Sequence, residues 1–169
     1  LISITDGQIY LSPELFRKGQ LPAVDVGKSV SRVGGKAQGQ GFRAVAGDLR
    51  LAYAQFEELE TFARFGTRLD EDTKRRLERG RRVREILKQN EHDLFTVPEQ
   101  IVVLLATTRG LLDALPPETV AEAEADLRRM IREERPDERE TLARGRALEE
   151  DERNALLDAA RDVVARHRG

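Results

Sequence analysis

From residue 49 onward the apolar positions follow a helical rhythm. Leu49, Ala52, Tyr53, Phe56, Leu59, Phe62 and Ala63 recur mostly at spacings of three and four, which places them on one face of a helix. The pattern predicts a long helix starting near Gln38 and stopping at Gly66. Asp70, followed by Glu71 and Asp72, predicts the cap of a second helix running to about Lys88. Thr96 and Glu99 have capping-box spacing, with Pro98 in the first turn, ahead of the almost continuously apolar run Ile101–Leu112. Such a run predicts a buried central helix. Pro116-Pro117 opens another, with Val120, Leu127 and Met130 facing inward, and Pro136 separates it from the next. A last helix has an acidic first turn, Glu149 to Glu152, and a basic last turn, Arg166, His167 and Arg168, matching the helix dipole.

The first 47 residues read differently. Ile2-Ser3-Ile4-Thr5 alternates like a strand, Asp6-Gly7 signals a turn, and Gln8 to Leu11 resumes extended structure. Ser12-Pro13-Glu14 caps a short helix that stops at Gly19. Val24, Val26 and Val30 suggest one or two further strands before Gly34-Gly35. So few short strands cannot bury themselves, and they read as the edge of a larger α/β domain. The fold class expected is mainly α. A C-terminal helical bundle of five or six helices, residues 38–169, follows the last strands of an α/β domain, residues 1–37.

Composition sharpens the division. Eight of the 13 glycines lie in residues 1–47, and residues 1–45 carry six basic against three acidic side chains. The rest is Gly-poor and acidic, and the whole 169-residue chain has a net charge of −2, which excludes a uniformly basic nucleic-acid-coating protein. With no cysteine and two histidines, neither a disulfide scaffold nor a zinc site can be assembled. The strongly apolar run Ile101–Ala106 is far shorter than the roughly 20 residues of a membrane-spanning helix. A chain that opens Leu1-Ile2-Ser3-Ile4, without an initiator Met or signal peptide, reads as a piece of something longer.

Several candidate features have plain alternatives. Gly27-Lys28-Ser29 resembles the end of a phosphate-binding loop, but Pro22 occupies the position of the first glycine, so a strand edge is expected. The basic cluster Lys74 to Arg84 is interleaved with acids and reads as a solvated helix face laced with i,i+4 pairs. The acidic stretches Glu122–Asp126 and Glu149–Glu152 read as solvated surface, Asp6 as a turn residue, and His167 as serving a helix C-terminus. Arg32 is different. It sits just before Gly34-Gly35 at the end of a strand-like run, where glycines let a backbone approach closely. An Arg there could reach a phosphate across an interface or form a structural salt bridge.

The strings Ser3-Ile4-Thr5-Asp6-Gly7-Gln8-Ile9-Tyr10-Leu11, Pro22-Ala23-Val24-Asp25-Val26-Gly27 and Ser29-Val30-Ser31-Arg32-Val33-Gly34-Gly35-Lys36-Ala37-Gln38 closely resemble the alpha subunit of F-type ATP synthases. Val45 to Leu51, Phe62 to Gly66, Leu69-Asp70, Arg79-Gly80, Leu87-Lys88-Gln89 and Glu99-Gln100-Ile101 continue the likeness, which weakens after about Pro117. The Ser29–Gly35 string favours alpha over beta. The resemblance implies a ring of three alpha and three beta subunits around a central-stalk gamma subunit, with a peripheral stalk and delta. Arg32 then corresponds to the arginine that reaches the nucleotide phosphates of a neighbouring beta subunit, and Ser3 lies on the same interface. It further implies ATP or ADP with Mg2+ in the complete subunit, and none for this piece alone. The adenine side of the alpha nucleotide site corresponds to Pro22 and Gln89; Leu21 and Glu91 stand where the family has Arg and Gln. Housekeeping and alternative bacterial operons both stay open, as do proton and sodium coupling. The implied location is peripheral, on the cytoplasmic face of the bacterial inner membrane, with membrane contact only through the ion-translocating sector and no nucleic acid. A helical adaptor domain without a nucleotide role is the alternative, and it has no reason to carry the Ser29–Gly35 string.

Overall fold

The computed structural model describes residues 4–63 and 69–168. Local chemistry sets most element boundaries in it. Strand β1, Gly7–Gln8, pairs antiparallel with β2, Val30–Ser31, in the register Gly7 to Ser31 and Gln8 to Val30. A Cβ on Gly7 would lie 2.6 Å from the Val30 carbonyl oxygen, so glycine is what allows the two backbones to meet. A bridge from Leu11 to Val24 continues this head. Between them the Ser12 hydroxyl accepts from the Leu15 amide at 3.3 Å and caps α1, Pro13–Arg17, as expected. The expected strand edge at Gly27-Lys28-Ser29 is instead a turn leading into β2. The Asp25 carboxylate accepts from the Lys28 amide at 2.9 Å and pairs with its ammonium at 3.1 Å, which favours the turn.

After a short helix α2, Gly34–Ala37, six longer helices follow among the described residues. They are α3 Gln40–Ala63, α4 Glu71–Ile86, α5 Val97–Thr108, α6 Val120–Glu133, α7 Pro136–Ala143 and α8 Glu150–Ala165. The stop expected at Gly66 lies outside the described residues. Asp70 caps α4, its carboxylate accepting from the Thr73 amide at 2.7 Å. At α5 the Glu99 carboxylate reaches back to the Thr96 amide at 2.8 Å and hydroxyl at 2.6 Å. A 3-10 turn, Pro117–Thr119, leads into α6, whose Val120, Leu127 and Met130 are buried as expected.

Helix α5 is the centre of the bundle, touching α3, α4, α6, α7 and α8. Ile101 to Ala106 are all buried, each large side chain contributing about 1.5–3 kcal/mol of transfer free energy. The helix is shorter than its apolar run. Gly110, at φ 74°, ends it, with the Leu111 amide donating to Ala106 and the Gly110 amide to Thr107. That is a Schellman cap, and it returns Leu111, Leu112 and Leu115 to the core from a turn. Gly19 and Gly145, at φ 71° and 75°, end α1 and α7 the same way.

A second cluster, Tyr53, Phe56, Leu77 and Val83, joins α3 to α4, with Val26 of the head packed against it. Its tightest point is Gly80, where an added Cβ would lie 2.1 Å from the Phe56 ring. At the other end of the head, the Gln40 amide donates to the Gly145 carbonyl at 2.7 Å, and Gly39 leaves no room for a side chain beside Gly145.

Candidate functional site

Arg32 directly follows β2, where the chain bends away from the sheet. Its backbone amide donates to the Asp6 carbonyl at 2.8 Å, which fixes the segment to the β1 side of the head. The Ser31 hydroxyl accepts from the Gly34 amide at 2.8 Å, and a Cβ on Gly34 would strike that hydroxyl. The backbone on either side of Arg32 is therefore held while its side chain is exposed. Among the described residues no carboxylate pairs with its guanidinium. Its neighbours in sequence, Val30 and Val33, are exposed too, as are Ile9 and Leu11 elsewhere in the head. Ser3, the other residue expected on this face, lies outside the described residues.

Pro22 and Gln89, far apart in sequence, come together. The Gln89 amide donates to the Leu21 carbonyl at 2.9 Å, which joins the head to the end of α4. A cleft of about 520 Å³ opens there, lined by Leu21, Pro22, Gln89, Glu91, His92 and Leu94 among others. Arg32 is not part of it. The Gln89 side-chain amide donates to the Asp93 carbonyl at 2.6 Å, so its orientation is set by the loop it begins. His92 adopts φ 68°, and its ring lies 3.4 Å from the Glu91 carboxylate. Leu21, Pro22 and Leu94 offer an apolar platform, while Glu91 and Asp93 place acidic residues at the rim. Lys88 and His92 line the cleft too, so the rim mixes charges around an apolar floor that suits a flat, uncharged group. Among the described residues no group of three His, Asp or Glu is placed to hold a metal ion.

Behind the cleft the 88–95 loop is tied to α6. Arg128 donates to both Asp93 oxygens, at 2.9 and 3.2 Å, and its guanidinium lies 3.6 Å over the Phe95 ring. Glu99 accepts from Arg132 at 2.7 Å. Burial acts to raise the Glu99 pKa, but the hydrogen bonds from Thr96 and the charges of Arg128 and Arg132 overcome it and hold it low. The Thr96–Glu99 cap had its sequence signal, but the pairings of Arg128 and Arg132 had none, because their partners sit on different elements.

The basic cluster of α4 corrects its sequence reading. Lys74, Arg75 and Arg81 do pair on the surface, at i,i+3 with Glu71, Asp72 and Glu78. Three others turn inward. Arg79 binds Asp113 at 2.8 Å, and buried Arg82 donates to the Leu115 carbonyl at 2.6 Å. Arg84 grips both Glu60 oxygens at 2.7 and 2.9 Å and lies over Phe56. Arg84 thus joins α4 to α3, while Arg79 and Arg82 tie α4 to the turn that follows α5. His167 likewise departs from its expected role, since its ring lies 3.1 Å from Asp126 of α6 and links the end of α8 to that helix.

Comparison with known proteins then bears on both places. Residues 38–163 match the family described as ATP synthase alpha/beta chain, C terminal domain. Residues 1–31 match the ATP synthase alpha/beta family, nucleotide-binding domain. The chain is 58% identical, over 99% of its length, to ATP synthase subunit alpha 2 of Syntrophus aciditrophicus, covering 33% of that protein. It is 55% identical over 97% of its length to ATP synthase subunit alpha 2 of Syntrophotalea carbinolica, covering 31% of it. A third relative, ATP synthase subunit alpha 1 of Rhodopirellula baltica, is 51% identical over 99% of the chain and is covered to 33%. The chain thus spans about a third of the length of these curated relatives.

Proposed function

The chain belongs to the ATP synthase alpha/beta chain family, and from that premise we propose that it works as part of the alpha subunit of a rotary ATP synthase head. Residues 1–37 form the edge of the nucleotide-binding domain, and residues 38–169 the C-terminal helical domain. The subunit alternates with beta subunits around the gamma stalk, with a peripheral stalk and delta, and supports ATP synthesis and hydrolysis coupled to ion transport. It sits peripherally on the cytoplasmic face of the bacterial inner membrane. Among the described residues no helix is long and apolar enough to cross a membrane.

Arg32 supplies an arginine finger to the neighbouring beta site. One observation carries this reading: an exposed guanidinium, without a carboxylate partner among the described residues, projects from a backbone held on both sides. A planar, permanently charged fork stabilises negative charge spreading over the oxygens of a transferring phosphoryl group. Ser3 lies at the same interface. The nucleotide bound by alpha itself, ATP or ADP with Mg2+, is met here only at its base, by Pro22 and the Gln89 amide. The apolar surface of Leu21, Pro22 and Leu94 in the cleft supports that reading. The base edge supplies hydrogen-bonding groups there, while Leu21 and Pro22 cover its face.

The test is steady-state ATP hydrolysis by the assembled complex carrying Arg32→Lys or Arg32→Ala, with assembly checked by gel filtration. Turnover should fall by about 10³–10⁵, the usual worth of such a finger, with nucleotide binding largely kept. Lys retains the charge but not the fork, so it should rescue little. Normal assembly with near-native turnover in both variants refutes the assignment.

A further inference from the structure

A second cavity, about 320 Å³, lies between the end of α4, the 88–95 loop and the start of α6. Glu85 faces it from α4, Lys88 and Asp93 from the loop, and Glu124 and Arg128 from α6. Lys88 is occupied, its ammonium held by both Glu85 oxygens at 2.8 and 2.7 Å. Arg128 is forked onto Asp93. Glu124 has neither a hydrogen bond nor an ion pair among the described residues, and the buried Arg128 Nε–H has no hydrogen-bond acceptor, its nearest carboxylate being Glu99 at 3.9 Å. Glu124 precedes Arg128 by four residues on one helix, the favourable order for an acid–base pair. Three carboxylates therefore share one guanidinium: Asp93 forked onto it, Glu99 at 3.9 Å from its Nε and itself held by Arg132 and the Thr96 cap, and Glu124, which alone has no partner among the described residues.

We propose that Glu124 is a proton-operated latch on the 88–95 loop. When its carboxyl is protonated, Arg128 stays forked onto Asp93 and the loop is held against α6. When it ionises, it repels Asp93, draws the guanidinium along α6 and frees the loop. Lys88 cannot neutralise it, being committed to Glu85. Burial of Glu124, eased by Arg128 and reinforced by Asp93, pushes its pKa up to about 7, so the exchange falls near neutrality. Residues Lys88 to Asp93 also line the 520 Å³ cleft, so the latch sets how firmly one wall of that cleft is held, whatever occupies it. The device does not depend on the nucleotide reading.

Hydrogen exchange of the full chain at pH 6 and pH 8, corrected for intrinsic rates, tests it. The amides to follow are Gln89 and Asp93, bonded to the carbonyls of Leu21 and Asn90. Wild type should lose about fivefold protection at the higher pH, the change expected between these two pH values if latching raises the Glu124 pKa by about one unit to about 7. Glu124→Gln should lose none, and Asp93→Asn should be weakly protected at both. Carbon-13 titration provides a second readout: the Glu124 carboxyl should titrate near neutrality, and lower in Asp93→Asn. Equal losses in wild type and Glu124→Gln, or a Glu124 carboxyl titrating in the ordinary range, would overturn the proposal.

Discussion

Replacing Gly80 by Ala sets two effects of known sign against each other. Gly80 lies inside α4, where Ala is intrinsically better by about 0.8–1.0 kcal/mol. If propensity decided, the variant would be more stable. The added Cβ, however, would lie 2.1, 2.2 and 2.3 Å from three Phe56 side-chain carbons, where about 3.5–4.0 Å is the comfortable separation. Phe56 cannot yield easily. It is fully buried, with Tyr53 on one side and the Arg84 guanidinium 4.5 Å over its ring. That guanidinium is itself held by Glu60, so moving the ring disturbs the pair. Overpacking typically costs about 1–3 kcal/mol, and a contact this short belongs at the upper end. Subtracting the propensity gain leaves a net loss of about 2 kcal/mol. Urea unfolding of the full chain measures it, read as a lower midpoint at unchanged slope. Adding Phe56→Leu should recover part of the loss in a double-mutant cycle, because the smaller side chain makes room. A Gly80→Ala protein more stable than wild type would refute the reasoning outright.

Glu99→Gln should destabilise by about 1–3 kcal/mol in the same assay, since a buried acceptor of charged bonds from Arg132 and of the Thr96 cap is lost. The pH dependence should run two ways. Glu99 has a lowered pKa, so its contribution is present above about 4.5 and disappears as pH falls through its folded value. Glu124 is raised to about 7, so its contribution is full below about 4.5 and is lost as pH rises to about 7; Glu124→Gln should therefore compare better with wild type at pH 8 than at pH 5. In the assembled complex, Leu21→Arg with Glu91→Gln should tighten adenine-nucleotide binding at the alpha site, measured by calorimetry. Unchanged affinity would mean that these two positions do not meet the base.

What could be foreseen followed the range of each interaction. The caps at Ser12, Asp70 and Thr96–Glu99 span three residues, so the signal lies within one turn. Gly110 escaped notice because the apolar pattern runs on through Leu111 and Leu112, which serve the core from a turn as well as from a helix. The basic face of α4 was misjudged for a related reason. Charge alone does not tell an arginine on the surface from one reaching Asp113, Glu60 or a carbonyl on another element. At the site, Arg32, Pro22 and Gln89 could all be named by resemblance, the residues around Arg32 alone leaving a structural salt bridge open, and what joins the latter two is a main-chain bond from Gln89 to Leu21. Arg128 on Asp93 had no local signal at all, both partners being ordinary surface residue types.

The meeting of Gly39 with Gly145 has a mechanical corollary. Where the chain leaves the head and enters α3, it is closed against the end of α7 by backbone on backbone, with the Gln40 amide on the Gly145 carbonyl and no side chain between. Gly145 is also the residue that terminates α7. A pull on the head is therefore delivered straight to the end of a helix packed on α5, without passing through rotamers that could give way. The joint is short, a single main-chain hydrogen bond beside two glycines in contact. Side chains on either side of it can change without touching this contact, because its two glycines meet through main chain alone.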